Sequence, residues 1–131
     1  MTDSRQTKGI APYVPPVRPL PLFAYGTLTD PVFVGQLLEH PVTLTPATLL
    51  GFQKIALEGF DYPLVVPAEA GRVAGQVLTD VVPADYERLD AYEGVGEGLY
   101  LRAEGEVELA SGECRTVYVY TASPKTLERY S

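Results

Sequence analysis

Val82, Tyr86, Leu89 and Glu93 follow one another at intervals of four, three and four residues. At about 3.6 residues per helical turn these side chains share one face, and the first three are what a helix lays against a core. The fourth is a carboxylate pointing the same way. Asp85, Glu87 and Arg88 fall elsewhere on the wheel, and Gly94 is a helix stop, which places Glu93 in the last turn. A helix C-terminus carries partial negative charge and burial disfavours an ionised group, so both effects push the Glu93 pKa up toward neutrality. A carboxylate in that condition suits general acid/base work. The competing reading turns Glu93 to the rim, where it caps backbone amides or meets an arginine.

A second candidate lies upstream. Leu20 to Tyr25 reads as a mostly buried strand running into Gly26-Thr27-Leu28-Thr29, after which Asp30 supplies an N-cap and Pro31 a first helical residue. Strand, glycine turn and helix start make a place where consecutive backbone N–H groups converge on a carboxylate or a phosphate without any cationic side chain. The stretch has neither the lysine of a P-loop nor the repeated glycines of a dinucleotide fingerprint. In the plainer reading Gly26 only permits a tight turn.

The remaining reactive side chains offer less. His40 lacks a cysteine or second histidine partner, so no metal site is expected, and the residue should meet the preceding helix end and solvent. Cys114 has no evident base and only Arg115, on the opposite face, as a neighbouring cation. It reads as a small buried hydrophobe rather than a thiol nucleophile. In the same strand Cys114, Thr116, Tyr118 and Tyr120 share one face against Arg115, Val117 and Val119 on the other, and the tyrosines read as core packing with wet hydroxyls.

The elements that must position these groups are legible in order. Residues 1–18 are polar and then Pro-rich, without hydrophobic periodicity, and are expected to form an extended or disordered arm. Val34, Leu37 and Leu38 form the apolar stripe of a helix that His40-Pro41 ends. Leu44 to Leu57 reads as one bent or two short strands around Gly51-Phe52, Glu58 to Asp61 as a turn, and Tyr62 to Pro67 as a short strand fenced by prolines. Ala70-Gly71 is expected to turn the chain before a strand from Val73 to Val81, and Pro83 to open the Glu93 helix with Asp80 or Val82 near its cap. Gly94, Gly96 and Gly98 predict a mobile exit loop unless packing or a ligand orders it. Leu99 to Leu109 and Glu113 to Thr121 flank Ala110-Ser111-Gly112 as the clearest hairpin, and Pro124 to Ser131 ends in a short helix or a loose tail.

Composition limits the partners. A length of 131 residues suits one domain, residues 19–131 here, with a core that needs no staples. Lys and Arg number 10 against 17 Asp and Glu, a net charge of −7, with no basic run to follow a phosphate backbone, so no nucleic acid partner is expected. A single cysteine precludes an internal disulfide framework, and Met1 to Leu22 carries neither a signal-peptide core nor a membrane span. The expectation is a soluble cytoplasmic protein that does not engage a membrane, a monomer or weak homo-oligomer.

Two motifs, Leu22-Phe23-Ala24-Tyr25-Gly26-Thr27-Leu28 and Leu89-Asp90-Ala91-Tyr92-Glu93-Gly94-Val95 followed by Leu99-Tyr100, occur in this order. Together with Tyr62-Pro63, Gly75-Gln76-Val77 and Tyr118-Val119-Tyr120 they make the stretch from about Pro19 to Thr121 resemble the gamma-glutamylcyclotransferase-like superfamily in its AIG2-like branch. The resemblance implies an α+β fold, a small mixed β-barrel with peripheral helices and a cavity at one end. It implies that Tyr25, Gly26, Thr27 and Leu28 offer backbone donors to the α-carboxylate of a γ-glutamyl substrate, that Glu93 is the catalytic acid/base, and that Tyr100 lines the same site. It implies a metal-independent, cofactor-free acyltransferase that closes a γ-glutamyl amine or peptide to 5-oxoproline and releases the free amine. The Pro-rich arm lies outside the family pattern.

Two other functions compete with that one. A non-catalytic module could hold a small γ-glutamyl-like or acidic metabolite, although a pocket for anions should avoid an inward carboxylate unless its ligand also brings an ammonium. A structural interaction domain using the Pro-rich arm has only composition behind it.

Overall fold

The protein's structure, a computed structural model, describes residues 17–56 and 64–130. Five strands form a closed barrel: β1 (Leu22–Ala24), β2 (Leu44–Ile55), β3 (Leu64–Leu78), β4 (Tyr100–Leu109) and β5 (Cys114–Ala122). Around the barrel the order is β1-β3-β2-β4-β5. All neighbours are antiparallel except β1 and β5, which close the ring in parallel at Leu22 and Tyr118, so the barrel is mixed. Among the described residues three α-helices accompany it: α1 (Pro31–Leu38), α2 (Asp85–Tyr92) and α3 (Pro124–Tyr130).

Strand alternation divides the apolar residues between two cores. Phe23, Leu49, Val73, Val77, Val107, Val117 and Val119 pack in one cluster. On the opposite side of the same strands Leu22, Ala24, Leu78, Tyr118 and Tyr120 pack with Val34 and Leu38 of α1 and Tyr86 and Leu89 of α2. β1 is short yet buried throughout because Phe23 serves the first cluster while Leu22 and Ala24 serve the second.

The hairpin of β4 and β5 forms as its sequence predicts. One strand expectation needs correction. The segment from Leu44 is a single strand, one of the two forms expected, but the chain does not turn at Ala70-Gly71 and continues through it within β3. Pairing jumps from Leu50–Arg72 to Phe52–Pro67, so residues 68–71 bulge opposite Gly51, whose φ of 81° only glycine adopts easily. Gly71 tolerates the crossing because a Cβ there would lie 2.1 Å from the Phe52 carbonyl oxygen. The turn expected over Glu58 to Asp61, and Tyr62-Pro63, lie outside the described residues.

Other expectations change at the edges. Cys114 is exposed rather than buried. Asp80 caps nothing on α2: its carboxylate accepts from the Thr43 N–H at 3.0 Å and the Thr43 hydroxyl at 3.2 Å, tying the start of β2 to the end of β3. Of the arm expected over residues 1–18, residues 1–16 lie outside the described residues, but Val17 and Arg18 are docked. Val17 packs against the helix-side core, and the Arg18 N–H donates to the Tyr118 hydroxyl at 2.8 Å. Among the described residues no helix is long and apolar enough to cross a membrane.

Candidate active site

Helix α2 delivers Glu93. Tyr86 and Leu89 are completely buried, and Glu93, next on their stripe, is half-buried just beyond the last helical turn. Val82 does not belong to this face: it precedes the helix and is 51 % exposed. Asp85, off that stripe, is nevertheless only 7 % exposed. The reason is a partner distant in sequence, since its carboxylate accepts from His40 Nε2 at 2.8 Å and from the Val82 N–H at 3.0 Å. His40 thus reaches α2 rather than only its own helix end. Its other nitrogen faces the Pro41 carbonyl at 2.8 Å, so both ring nitrogens meet acceptors, an arrangement that an imidazolium satisfies. That carbonyl and the Asp85 carboxylate raise the His40 pKa.

The backbone stops where the sequence places the stop. The Glu93 N–H donates to the Leu89 carbonyl at 2.9 Å, and Gly94 follows in the left-handed region at φ 68°, where a Cβ would meet Leu99 Cδ1 at 2.8 Å. Burial pushes the Glu93 carboxyl up to about 7. Among the described residues its carboxylate makes no ion pair and no side-chain hydrogen bond.

The three-glycine exit is ordered rather than loose. Val95–Glu97 forms a single 3-10 turn, the Leu99 N–H donates to the Gly94 carbonyl at 3.0 Å, and the chain re-enters the barrel at Tyr100. Helix α3 clamps this turn. The Ser123 hydroxyl donates to the Gly98 carbonyl and accepts the Thr126 N–H at 3.0 Å, while the Thr126 hydroxyl donates to the Leu99 carbonyl at 2.7 Å. Ser123 before Pro124 is the cap signal that could have revealed the clamp.

The upstream loop has a narrower form than expected. After β1, Tyr25 and Gly26 lead into a 3-10 turn over Thr27–Thr29, with the Thr29 N–H and hydroxyl both donating to the Gly26 carbonyl, at 2.9 and 2.6 Å. Asp30 then caps α1 by accepting from the N–H groups of Val32 and Phe33 at 3.0 and 3.4 Å. Those two helix-start amides are taken by the chain's own carboxylate, so an anion would have to use the turn around Gly26, Thr27 and Leu28. The Leu28 side chain is buried in the helix-side core, which leaves its backbone as the part it can offer.

Tyr25 joins the two halves. Its hydroxyl donates to the Tyr120 carbonyl. Its pKa is driven far up, first by burial and then by the nearby Tyr100 and Glu93. Tyr25 therefore shares a neighbourhood with Glu93 and Tyr100, both distant from it in sequence. The Tyr25 phenol is held neutral and committed to a backbone carbonyl, while the half-buried Glu93 carboxyl is the group able to exchange a proton near neutral pH. Among the described residues no cluster of three or more His, Cys, Asp or Glu side chains is placed to hold a metal ion.

Sequence reasoning passed over Asp90, Arg102 and Tyr120 as a unit. Asp90 lies on α2, pairs with Arg102 of β4 and accepts the Tyr120 hydroxyl at 2.6 Å. Only the β4–β5 register, which sets Arg102 opposite Tyr120, makes the grouping visible.

The comparisons with known proteins agree with this architecture. The family model described as gamma-glutamyl cyclotransferase, AIG2-like, matches residues 22–131. AIG2-like protein A of Arabidopsis thaliana is 42 % identical over 73 residues, covering 56 % of this chain and 44 % of that protein. Protein AIG2 B of the same plant is 31 % identical over 105 residues, 79 % of this chain and 60 % of that protein. The chain spans about half the length of the curated relatives it matches. Among solved structures, an Arabidopsis thaliana protein determined in solution superposes with a TM-score of 0.72 at 29 % identity, covering 80 % of this chain and 62 % of that one. A structure named gamma-glutamyl cyclotransferase gives 0.68 at 19 % identity over 81 % of this chain and 68 % of that one, which shows a shared fold. With its two motifs, its closed mixed barrel and this match over nearly the whole described chain, the protein belongs to the AIG2-like gamma-glutamyl cyclotransferase family.

Proposed function

We propose that the protein cyclises a γ-glutamyl amine or peptide to 5-oxoproline and releases the free amine. The observation that carries this reading is a half-buried carboxyl, pushed up to about 7, beside the tyrosine that roots the glycine loop. Such a substrate carries its own nucleophile, the α-amine, which at neutral pH is mostly an ammonium. Glu93 accepts one of its protons. The freed amine attacks the γ-carbonyl carbon, the new C–N bond closes a five-membered ring, and the carbonyl oxygen takes up negative charge. Glu93 then returns the proton to the leaving nitrogen as the original C–N bond breaks, and the second proton shed by the ring nitrogen is taken up by the released amine, which departs as an ammonium, so atoms and charge balance without a co-reactant. Intramolecular attack supplies the proximity, and the protein's task is to hold the chain in its cyclising shape. The turn from Gly26 to Leu28 is the candidate cradle for the α-carboxylate, with Tyr25 and Tyr100 as walls.

The absence of an ion-pair partner for Glu93 among the described residues favours this role over a rim-facing cap. An inward carboxylate also suits a ligand bearing an ammonium beside its carboxylate, as a γ-glutamyl group does. The test is release of 5-oxoproline from a panel of γ-glutamyl amines and peptides by the purified protein. Tight binding of the same compounds without any product would overturn the enzyme in favour of a binding module.

A further inference from the structure

The ion pair between Asp90 and Arg102 sits where an apolar contact would serve the fold as well. The Arg102 side chain is 14 % exposed and the Asp90 side chain 29 %. The Arg102 guanidinium carbon stands 5.3 Å from the Tyr86 ring centroid and 5.0 Å from that of Tyr118. Withdrawing two charges from water costs free energy that their attraction often only balances, and well-packed apolar replacements are frequently neutral or stabilising. Stability is therefore a poor explanation for the pair. Its placement offers another.

Asp90 lies three residues ahead of Glu93, on the adjoining strip of α2. One of its oxygens receives Arg102 of β4, and the other receives the Tyr120 hydroxyl of β5 at 2.6 Å. Tyr120 is 1 % exposed, and it holds a second group with a different atom, because its backbone carbonyl accepts the Tyr25 hydroxyl. A single residue of β5 therefore grips both halves of the site. Its side chain fixes the helix that ends at Glu93, and its main chain fixes the tyrosine that leads into the glycine loop. The guanidinium lies over the adjoining rings of Tyr86 and Tyr118, which limits the fork's freedom to swing.

We propose that Asp90, Arg102 and Tyr120 form a brace of positioning residues that sets the distance and angle between the Glu93 carboxyl and the loop carrying Tyr25 and Gly26. The assignment rests on the reaction proposed above. None of the three touches substrate. They act by holding α2 against β4 and β5 so that one carboxyl oxygen reaches both the α-amine and the departing nitrogen. A carboxyl freed from that geometry would still bind a proton but would miss the transfer, and misplacement by about 1 Å can cost up to about 10²-fold in rate. Glu93 and Tyr100 both lie near enough to Tyr25 to raise its pKa, and the Asp90–Arg102 ion pair joins α2 to β4.

Three variants test the brace: Tyr120→Phe, Asp90→Asn, and the double change Asp90→Leu with Arg102→Met. Each is measured for Tm, for kcat and KM on a γ-glutamyl amine well below Tm, and for the titration midpoint of the Glu93 carboxyl by carbon-13 NMR. Tyr120→Phe keeps the ring and the carbonyl that holds Tyr25 and removes only the tether to Asp90. It should lower kcat by about 10-fold to 10²-fold with KM within about twofold. The carboxyl, no longer held in its buried position, should titrate below about 7 and closer to the ordinary 4.5. Asp90→Asn should lower both Tm and kcat, because Arg102 is left buried with a neutral partner. The double variant discriminates best, since its Tm should recover above that of Asp90→Asn, short of wild type only by the cost of the Tyr120 hydroxyl left without its acceptor, while kcat stays low. Recovery of kcat together with Tm would overturn the brace, as would a Tyr120→Phe protein with unchanged kcat and unchanged midpoint. If wild-type protein releases no 5-oxoproline from any substrate, the proposed reaction falls on its own. The carboxyl titration of Tyr120→Phe then decides the brace, which is overturned by a midpoint equal to wild type.

Discussion

Strand β5 presents two faces built to different rules. Val117 and Val119 enter a cluster whose buried members are all aliphatic or phenylalanine side chains, with the Tyr25 ring packed at its margin. Tyr118 and Tyr120, alternating with them, lie beneath the helices among hydroxyls, a carboxylate and a guanidinium. A dry aliphatic cluster holds strands together without dictating where any one atom sits, because dispersion and burial are non-directional. Hydrogen bonds and ion pairs do dictate it. The contrast implies that one face keeps the protein folded and the other decides how the site is aimed.

The sharpest way to break that division is Glu93→Gln, which keeps size and most hydrogen-bonding capacity while removing the ability to carry a proton. A general acid/base is worth about 10² to 10⁴ in rate, so kcat should fall by that order while ligand affinity persists. Tm should hold or rise slightly, because an ionisable group partly removed from water is costly to the fold. A stable variant with wild-type turnover would return Glu93 to the rim-facing reading. The mirror experiment sits on the dry face. Leu49→Ala empties a fully buried position there and should cost about 2–5 kcal/mol by denaturant titration, with kcat and KM of the folded protein unchanged. A large loss of kcat at full foldedness would show that the two faces are not independent.

The pH dependence sharpens the same contrast. With the Glu93 carboxyl at about 7, kcat/KM should rise as pH increases through that value, since the basic form starts the reaction. Stability should move the opposite way. The folded pKa lies above the ordinary 4.5, so the group's contribution is fully present below about 4.5 and is lost as pH rises through about 7. Denaturation of wild type and Glu93→Gln across pH 4 to 8 should reveal a slope that the variant lacks. The smallest effect belongs to His40, whose raised pKa gives stability present below its ordinary 6.5 and lost as pH rises through the folded value. The Tm of His40→Gln should therefore fall below wild type in acid and converge with it in mild alkali. A constant gap would mean that His40 acts by packing alone.

What could be read from the sequence follows the range of the interactions responsible. The inward stripe from Tyr86 through Leu89 to Glu93, the Gly94 stop and the Asp30-Pro31 start all depend on neighbours a few residues away, and local periodicity exposed them. The burial of Asp85 is not legible, because a wheel cannot show that His40, from the other end of an intervening hairpin, hydrogen-bonds to it. Val82 was assigned to the buried face because the pattern extends a turn beyond the true start of α2. The break expected at Ala70-Gly71 was real as a disturbance, but cross-strand pairing absorbed it as a bulge instead of reversing the chain. The Asp90–Arg102–Tyr120 grouping was illegible for a stronger reason. Each residue looks ordinary on its own element, and only sheet register and helix docking together make them neighbours.

The parallel seam between β1 and β5 bears on how the molecule is assembled in time. The ring closes where Leu22 meets Tyr118, supported by the Tyr118 N–H donating to the Pro21 carbonyl at 2.9 Å, so an early strand waits for the last one. Contacts between distant parts of a chain carry a loop-closure cost that local hairpins avoid, and they form late. The β4–β5 hairpin and the β2–β3 pair can therefore organise first, while the Tyr25 loop meets the carbonyl of Tyr120 only once β1 has been captured. During synthesis, no ribosome-bound chain lacking β5 can possess the paired loop and carboxyl, however much of its barrel has formed. The pairing of loop and carboxyl arrives with the seam, as a final step of folding rather than a gradual gain.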